Sequence, residues 1–342
     1  MTENRKWRSW LFKIVKYAIG VIALVWVITQ VDWARTAALL REIPPEVIVA
    51  LVVLSVLGRV AGFSMWYVLI NRIRRTGFIV AASAGLTVLF INHLLPSRLS
   101  GRAAAPFVFH NKTGMSYSDA VGVAGVHTGL YAVLYGLVSL IGLVFAFSQL
   151  SLGLTTILLV STVLYVVAGG LVLLAGTHLG VLNYIINWMD IIGQRMPVFG
   201  DRFAALTEKL PSFMRSSATT FRTLVSDPIV LLSYVGGWTV AILIARGLRV
   251  WLVFGSLGVE FEPVLLLPIY LLTAYSVTLL PVTPGGVGVA EATAMAMLVS
   301  LGIPSEIAIS AIIVDRFLGT YLPAVIGWYP SLQMDLSGLF SE

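Results

Sequence analysis

Arginine is the residue around which this sequence arranges its chemistry. Arg59, Arg246 and Arg249 sit inside long apolar runs, Arg98 and Arg102 stand at an interruption of another, and Asp315-Arg316 is embedded in the last one. Glu291 follows a second interruption. A charge at a bilayer centre costs at least about 2.5–3.5 kcal/mol, so each such group needs a reason. A cavity with more arginine than carboxylate suits an anionic ligand, and the planar guanidinium fork takes phosphate bidentately. Plainer roles stand beside this one. Arg59, Arg246 and Arg249 can snorkel or lock helices by pairing with carboxylates, which is the favoured reading for Arg249. Glu291 and Arg316 read equally well as a buried salt bridge or as a gate. His127 reads first as a hydrogen-bonded core group and second as a proton carrier. Asp119 and Glu306 read as first-turn acids of their helices.

The two interruptions share one grammar. The first is Leu94-Leu95-Pro96-Ser97-Arg98-Leu99-Ser100-Gly101-Arg102; the second is Leu279-Leu280-Pro281-Val282-Thr283-Pro284-Gly285-Gly286-Val287-Gly288. Each is followed by a short apolar run and a turn, Gly114-Met115-Ser116 or Gly302-Ile303-Pro304, leading into a long helix. Helices restarting after such breaks present unpaired N–H groups and a positive dipole end, which bind phosphate readily. Gly285, Gly286 and Gly288 let backbone approach a bulky headgroup. Paired breaks in two halves of a membrane chain point to a transport site.

The elements that must position these residues are membrane helices. The chain of 342 residues is 58% hydrophobic and only 11% charged, with a mean hydropathy of +0.94. Spanning helices are expected at about 11–30, 46–70, 118–147, 153–176, 229–256 and 305–329. The broken units 78–110 and 263–301 have arms that suit re-entrant hairpins better than full crossings. The fold expected is an all-α polytopic membrane protein, about six spanning helices plus two broken re-entrant hairpins. No alternation of the barrel type is present. The first apolar run has a basic flank but no clear cleavage site, so it is expected to be retained. Without cysteine there is no disulfide or thiolate metal site, and neither a metal nor a cofactor is expected.

Most of the 22 Lys and Arg fall on one side of this topology, which places both termini in the cytoplasm. The charge of +6 is therefore a topology signal, not a nucleic-acid footprint. The same parity makes the halves an inverted repeat, about 46–147 and about 229–329, within one transmembrane domain at 1–330 and ahead of a short tail, 331–342. Gapless matching from Gly114 and Gly302 sets His127 against Asp315 and Thr128 against Arg316. The segment 177–226 reads as an in-plane amphipathic stretch on the cytoplasmic face.

At these residues the chain resembles the lysylphosphatidylglycerol synthase transmembrane family, a flippase-like module found alone or fused to an aminoacyl transferase. The resemblance covers about 12–330. Its most specific part runs from Pro281 to Glu291, similar to the family's Pro-Gly-Gly-x-Gly-x-x-Glu signature. Leu94-Leu95-Pro96-Ser97-Arg98, Gly114-Met115-Ser116 and Tyr321-Leu322-Pro323 resemble other family stretches. Ser100-Gly101, His127-Thr128 and Ala290 depart from the acidic residue, Glu-Arg pair and Arg usual there. No transferase domain is expected after residue 330, so the chain is not expected to make lysyl-lipid.

The resemblance and the arginines together imply a translocase for a phosphate-bearing lipid with an anionic or zwitterionic headgroup: a phospholipid, an aminoacylated lipid or a polyprenyl-phosphate glycan carrier. An enzyme is not expected. Substrate binding is assigned to Arg59, Arg98, Arg102, Arg246, Gly285, Gly286, Gly288, Glu291 and Arg316, with His127 and Asp315 as coupling or gating groups. The alternatives are a polyprenyl-phosphate phosphatase, which lacks clustered glutamates here, and a scaffold for a lipid synthase or glycosyltransferase. The location expected is the plasma membrane.

Overall fold

A computed structural model describes residues 29, 32–94, 98–148, 150–177, 214–260 and 289–333; among them there is no strand. The helices are α1 (Trp33–Glu42), α2 (Pro45–Ile73), α3 (Phe78–Leu94), α4 (Arg98–Thr113), α5 (Tyr117–Ala146), α6 (Leu152–Thr177), α7 (214–225), α8 (Pro228–Ser256), α9 (Val289–Ser300) and α10 (Ser305–Ser331). Five of these are long and apolar enough to cross a bilayer: α2, α5, α6, α8 and α10, each of 26 to 29 residues. At about 1.5 Å per residue each exceeds a hydrocarbon core of roughly 30 Å. The chain is a multi-pass membrane protein. The sixth expected span, 11–30, lies almost wholly outside the described residues. α3 and α4, with 17 and 16 residues, fall short of that thickness.

Local chemistry sets the helix starts. Pro45 and Pro228 occupy first-turn positions where no N–H is needed. Asp32, Ser116 and Asp227 cap α1, α5 and α8 by accepting backbone N–H groups. Gly114 and Gly302 adopt φ of +65° and +86°, so both turns into the long helices need the left-handed region. The short helix α1 was not expected from the sequence.

Small residues bring the spans together. α2 and α8 cross antiparallel: Gly58 faces Ala245, Gly62 faces Ala241, and Gly237 packs on Ser64 and the Ala61 carbonyl. A Cβ on Gly58 would stand 2.7 Å from that of Ala245, so the glycine permits the approach. α5 and α6 form an antiparallel pair in the same way, with Gly129 and Ala132 against Gly169 and Gly136 against Val166. Gly169 thus serves contact within the chain, while its neighbour Gly170 faces open space. Outward faces carry bare Val and Leu, such as Val56 and Leu57 on α2 and Val163 and Leu164 on α6. Such residues suit lipid.

Of the segment 177–226, the described end is α7. It docks on α5 and α6: Phe221 and Leu224 are buried, Phe221 against Gly125 and Gly176. Arg222 Nε donates to the Thr177 carbonyl at 2.9 Å, and Thr220 donates to Asp119. Asp119 therefore does more than open its helix.

Candidate functional site

α2, α3, α5 and α8, with Ala105 of α4 and one segment of α10, line an open cavity of about 200 Å³. Two of its walls are π-helical, Thr239–Ile244 in α8 and Phe317–Tyr321 in α10. A π turn displaces backbone groups from their usual ladder, and such turns occur frequently at functional sites. Here Ala241 and Ile242 line the cavity from one, and Gly319 and Thr320 from the other.

Arg59, Arg246 and Arg249 all reach this space. Arg249 is buried and paired: its Nε donates to Asp315 Oδ1 at 2.9 Å, and its Nη2 donates to the same oxygen. Arg59 donates from Nη2 to the Gly319 carbonyl, while its buried Nε has no hydrogen-bond partner. Arg246 and Arg249 repel the Arg59 charge, and Asp315 attracts it. Arg59 also lies 5.9 Å from the centre of the Phe63 ring. The guanidinium groups outnumber the one carboxylate among them. That arrangement favours a bound anion.

α3 and α5 add polar side chains to the cavity. Asn92, His93, Thr128 and Tyr131 line it, and Asn92 Oδ1 is buried without a partner. His127 lines it too, stacked on Trp66 at 3.6 Å between ring centres. Tyr234 Oη lies 3.0 Å from His127 Nδ1 and donates to the His127 carbonyl at 3.1 Å. The hydroxyl has one proton for these two contacts, so its role toward Nδ1 depends on the His127 tautomer.

The expected site residues thus divide. Arg59, Arg246 and His127 meet at the cavity. Asp315 stands behind Arg249. Arg316 and Glu291 form a neighbouring pair, Nε to Oε1 at 3.4 Å, and Glu291 Oε1 also accepts from Tyr321 Oη at 2.8 Å. Arg98 and Arg102 lie in the first turns of α4, with side chains outside the described set. Gly285, Gly286 and Gly288 lie outside the described residues. Asn92, His93, Tyr131 and Gly319 were not anticipated. For Asn92-His93, a signal was present: two polar residues inside an apolar run just ahead of the Leu-Leu-Pro break.

Residues 13–327 match the family model described as the lysylphosphatidylglycerol synthase TM region. Among curated proteins, the chain is similar to a UPF0104 membrane protein of Methanothermobacter thermautotrophicus, 24% identical over 91% of both chains. A UPF0104 membrane protein of Pyrococcus horikoshii is 22% identical, covering 91% of this chain and 95% of its own. No solved structure matches. The family match spans the described cavity and both broken units, and the chain belongs to the lysylphosphatidylglycerol synthase transmembrane-region family.

Proposed function

We propose that the protein is a lipid translocase, not an enzyme, which moves a phosphate-bearing headgroup through the arginine-lined cavity while the tails remain in the bilayer. The observation that carries this reading is the cavity itself. Arg59, Arg246 and Arg249 converge there with Asp315 as their carboxylate, and Arg59 Nε is left as an unused donor. A phosphate oxygen would satisfy that donor. The family's name concerns a lipid synthase, which supports lipid handling in general.

The two halves would act as an inverted repeat, one rocking against the other and exposing the cavity alternately. Supporting features are the antiparallel α2–α8 crossing and the matched left-handed turns at Gly114 and Gly302. The charge distribution supports cytoplasmic termini and a plasma-membrane setting.

The test uses the purified protein in vesicles holding a tail-labelled phospholipid, with a membrane-impermeant reductant added outside. Wild type should bleach the inner-leaflet label, and Arg59→Ala should slow this by roughly 10–100-fold, the worth of a charge-assisted hydrogen bond. Bleaching no faster than in empty vesicles, for every anionic lipid tried, would sink the reading.

A further inference from the structure

The cavity is lined by two chemically different sets of side chains. α2 and α8 contribute Arg59, Arg246 and Arg249; α3 and α5 contribute Asn92, His93, Thr128 and Tyr131. No aspartate or glutamate lines it among the described residues. The rest of the two broken units supplies none: the sequence has no acid between Phe78 and Gly114, nor between Pro263 and Ala290. The nearby carboxylates are engaged, Asp315 by Arg249, and Glu291 by Arg316 and Tyr321.

Among the described residues, an amine in the headgroup would therefore meet no carboxylate that is not already engaged. Aromatic faces can substitute for a carboxylate by cation–π attraction, but these rings are occupied with one another. Trp66 is stacked on His127 and lies 4.7 Å from Phe109, while Tyr131 packs between His127 and Tyr135. What the side chains from α3 and α5 do offer is hydrogen bonding. Asn92 Oδ1 is a buried acceptor with no partner, which a hydroxyl would satisfy, just as a phosphate oxygen would satisfy Arg59 Nε.

Building on the translocase reading, we infer that the headgroup is a phosphodiester of a neutral hydroxylated group, a polyol or a sugar, and that lipids ending in an amine are rejected. The phosphate sits among the arginines and the hydroxyls reach Asn92. An ammonium in this cavity would lose its hydration beside like charges with no compensating acid, which slows its passage at least about tenfold.

The experiment reconstitutes the full chain with one tail-labelled probe at a time: phosphatidylglycerol, lysyl-phosphatidylglycerol, phosphatidylethanolamine, or a prenyl phosphoglucose. The expected result is translocation of phosphatidylglycerol, the prenyl phosphoglucose, or both, at least about tenfold faster than either amine-bearing lipid. Which of the two moves identifies the source of the headgroup. Asn92→Asp places an acid in the cavity lining and should shift the rate ratio toward the amine-bearing lipids by at least about tenfold, whereas a general folding defect would slow all probes alike. Equal rates for phosphatidylglycerol and its lysyl ester in wild type overturn this inference and leave the translocase standing. Movement of no probe overturns both.

Discussion

Arg249 and Asp315 form a bidentate pair between α8 and α10 in which both side chains are almost wholly withdrawn from the surface, 3% and 4% exposed. Charges this deep are tolerated only together. Removing one partner strands the other, at a cost of about 3–5 kcal/mol, while replacing both with apolar residues of similar volume is often neutral. Asp315→Ala and Arg249→Ala should each lower the melting temperature in detergent markedly. Arg249→Met combined with Asp315→Leu should recover most of that loss. Additive loss in the double variant would show that the pair is not a closed unit.

Gly319 sits where this pair and Arg59 meet. Its carbonyl accepts from Arg59, and a Cβ there would stand 2.5 Å from Arg249 Nη2. Arg249 has little freedom to yield because Asp315 holds it. Gly319→Ala should therefore destabilise by about 1–3 kcal/mol, as overpacking does, and disturb both arginines. Gly170→Ala is the matched control. Nothing lies within 4 Å of its new methyl group, so stability should change by no more than about 0.5 kcal/mol. Thermal unfolding of the two variants side by side checks the contrast.

The five described spans could be read from apolar length alone, since a bilayer demands about 20 such residues in a row whatever they pack against. The run 46–70 thus became Pro45–Ile73, and the Gly114 and Gly302 turns declared themselves because glycine there takes positive φ. α1 escaped notice because its ten residues carry arginines and a threonine in no spanning pattern. The π turns at Thr239–Ile244 and Phe317–Tyr321 leave no local signature. They arise from how α8 and α10 meet their neighbours. Asn92 was overlooked for a related reason: an uncharged amide becomes conspicuous only when the fold buries it without a partner. Charges could be picked out one by one, but their division into pairs and cavity wall depended on helices distant in sequence.

A second polar tie lies at the end of the α2–α8 pair, where the last turn of α2 meets Asp227, the residue just ahead of α8. Asp227 caps α8 by accepting from the Ile229 and Val230 amides at 3.0 and 3.3 Å, and Arg72 Nε donates to it at 2.7 Å. The Arg72 hydrogen bond, helped by the Val230 amide, holds the Asp227 carboxyl below its ordinary 3.8. A depressed acid contributes stability that is present above the unfolded value, about 3.9, and is lost as pH falls through the folded one. The tie should therefore be unchanged from neutral pH down to about 5 and loosen below about 4. Hydrogen exchange in the first turn of α8 should accelerate there relative to Asp227→Asn, which keeps a capping side chain but does not titrate. Identical pH profiles for the two proteins would remove Asp227 as the cause.

Glu291 joins α9 to α10 through two contacts on one oxygen, the Tyr321 hydroxyl at 2.8 Å and Arg316 Nε at 3.4 Å. The hydroxyl bond is the shorter, and the salt bridge is longer than a well-formed charge-assisted hydrogen bond. α9 begins at Val289, directly after the second glycine-rich stretch of the sequence. If this junction acts as a gate, weakening it should change translocation more than it changes folding. Tyr321→Phe removes one neutral-to-charged hydrogen bond and should cost about 1.5–3 kcal/mol of local stability at most. Arg316→Ala and Glu291→Ala should abolish translocation with expression intact, because each removes the charge that positions the other. Normal transport in both variants would assign the junction to structure alone and leave the Arg59 cavity as the working site.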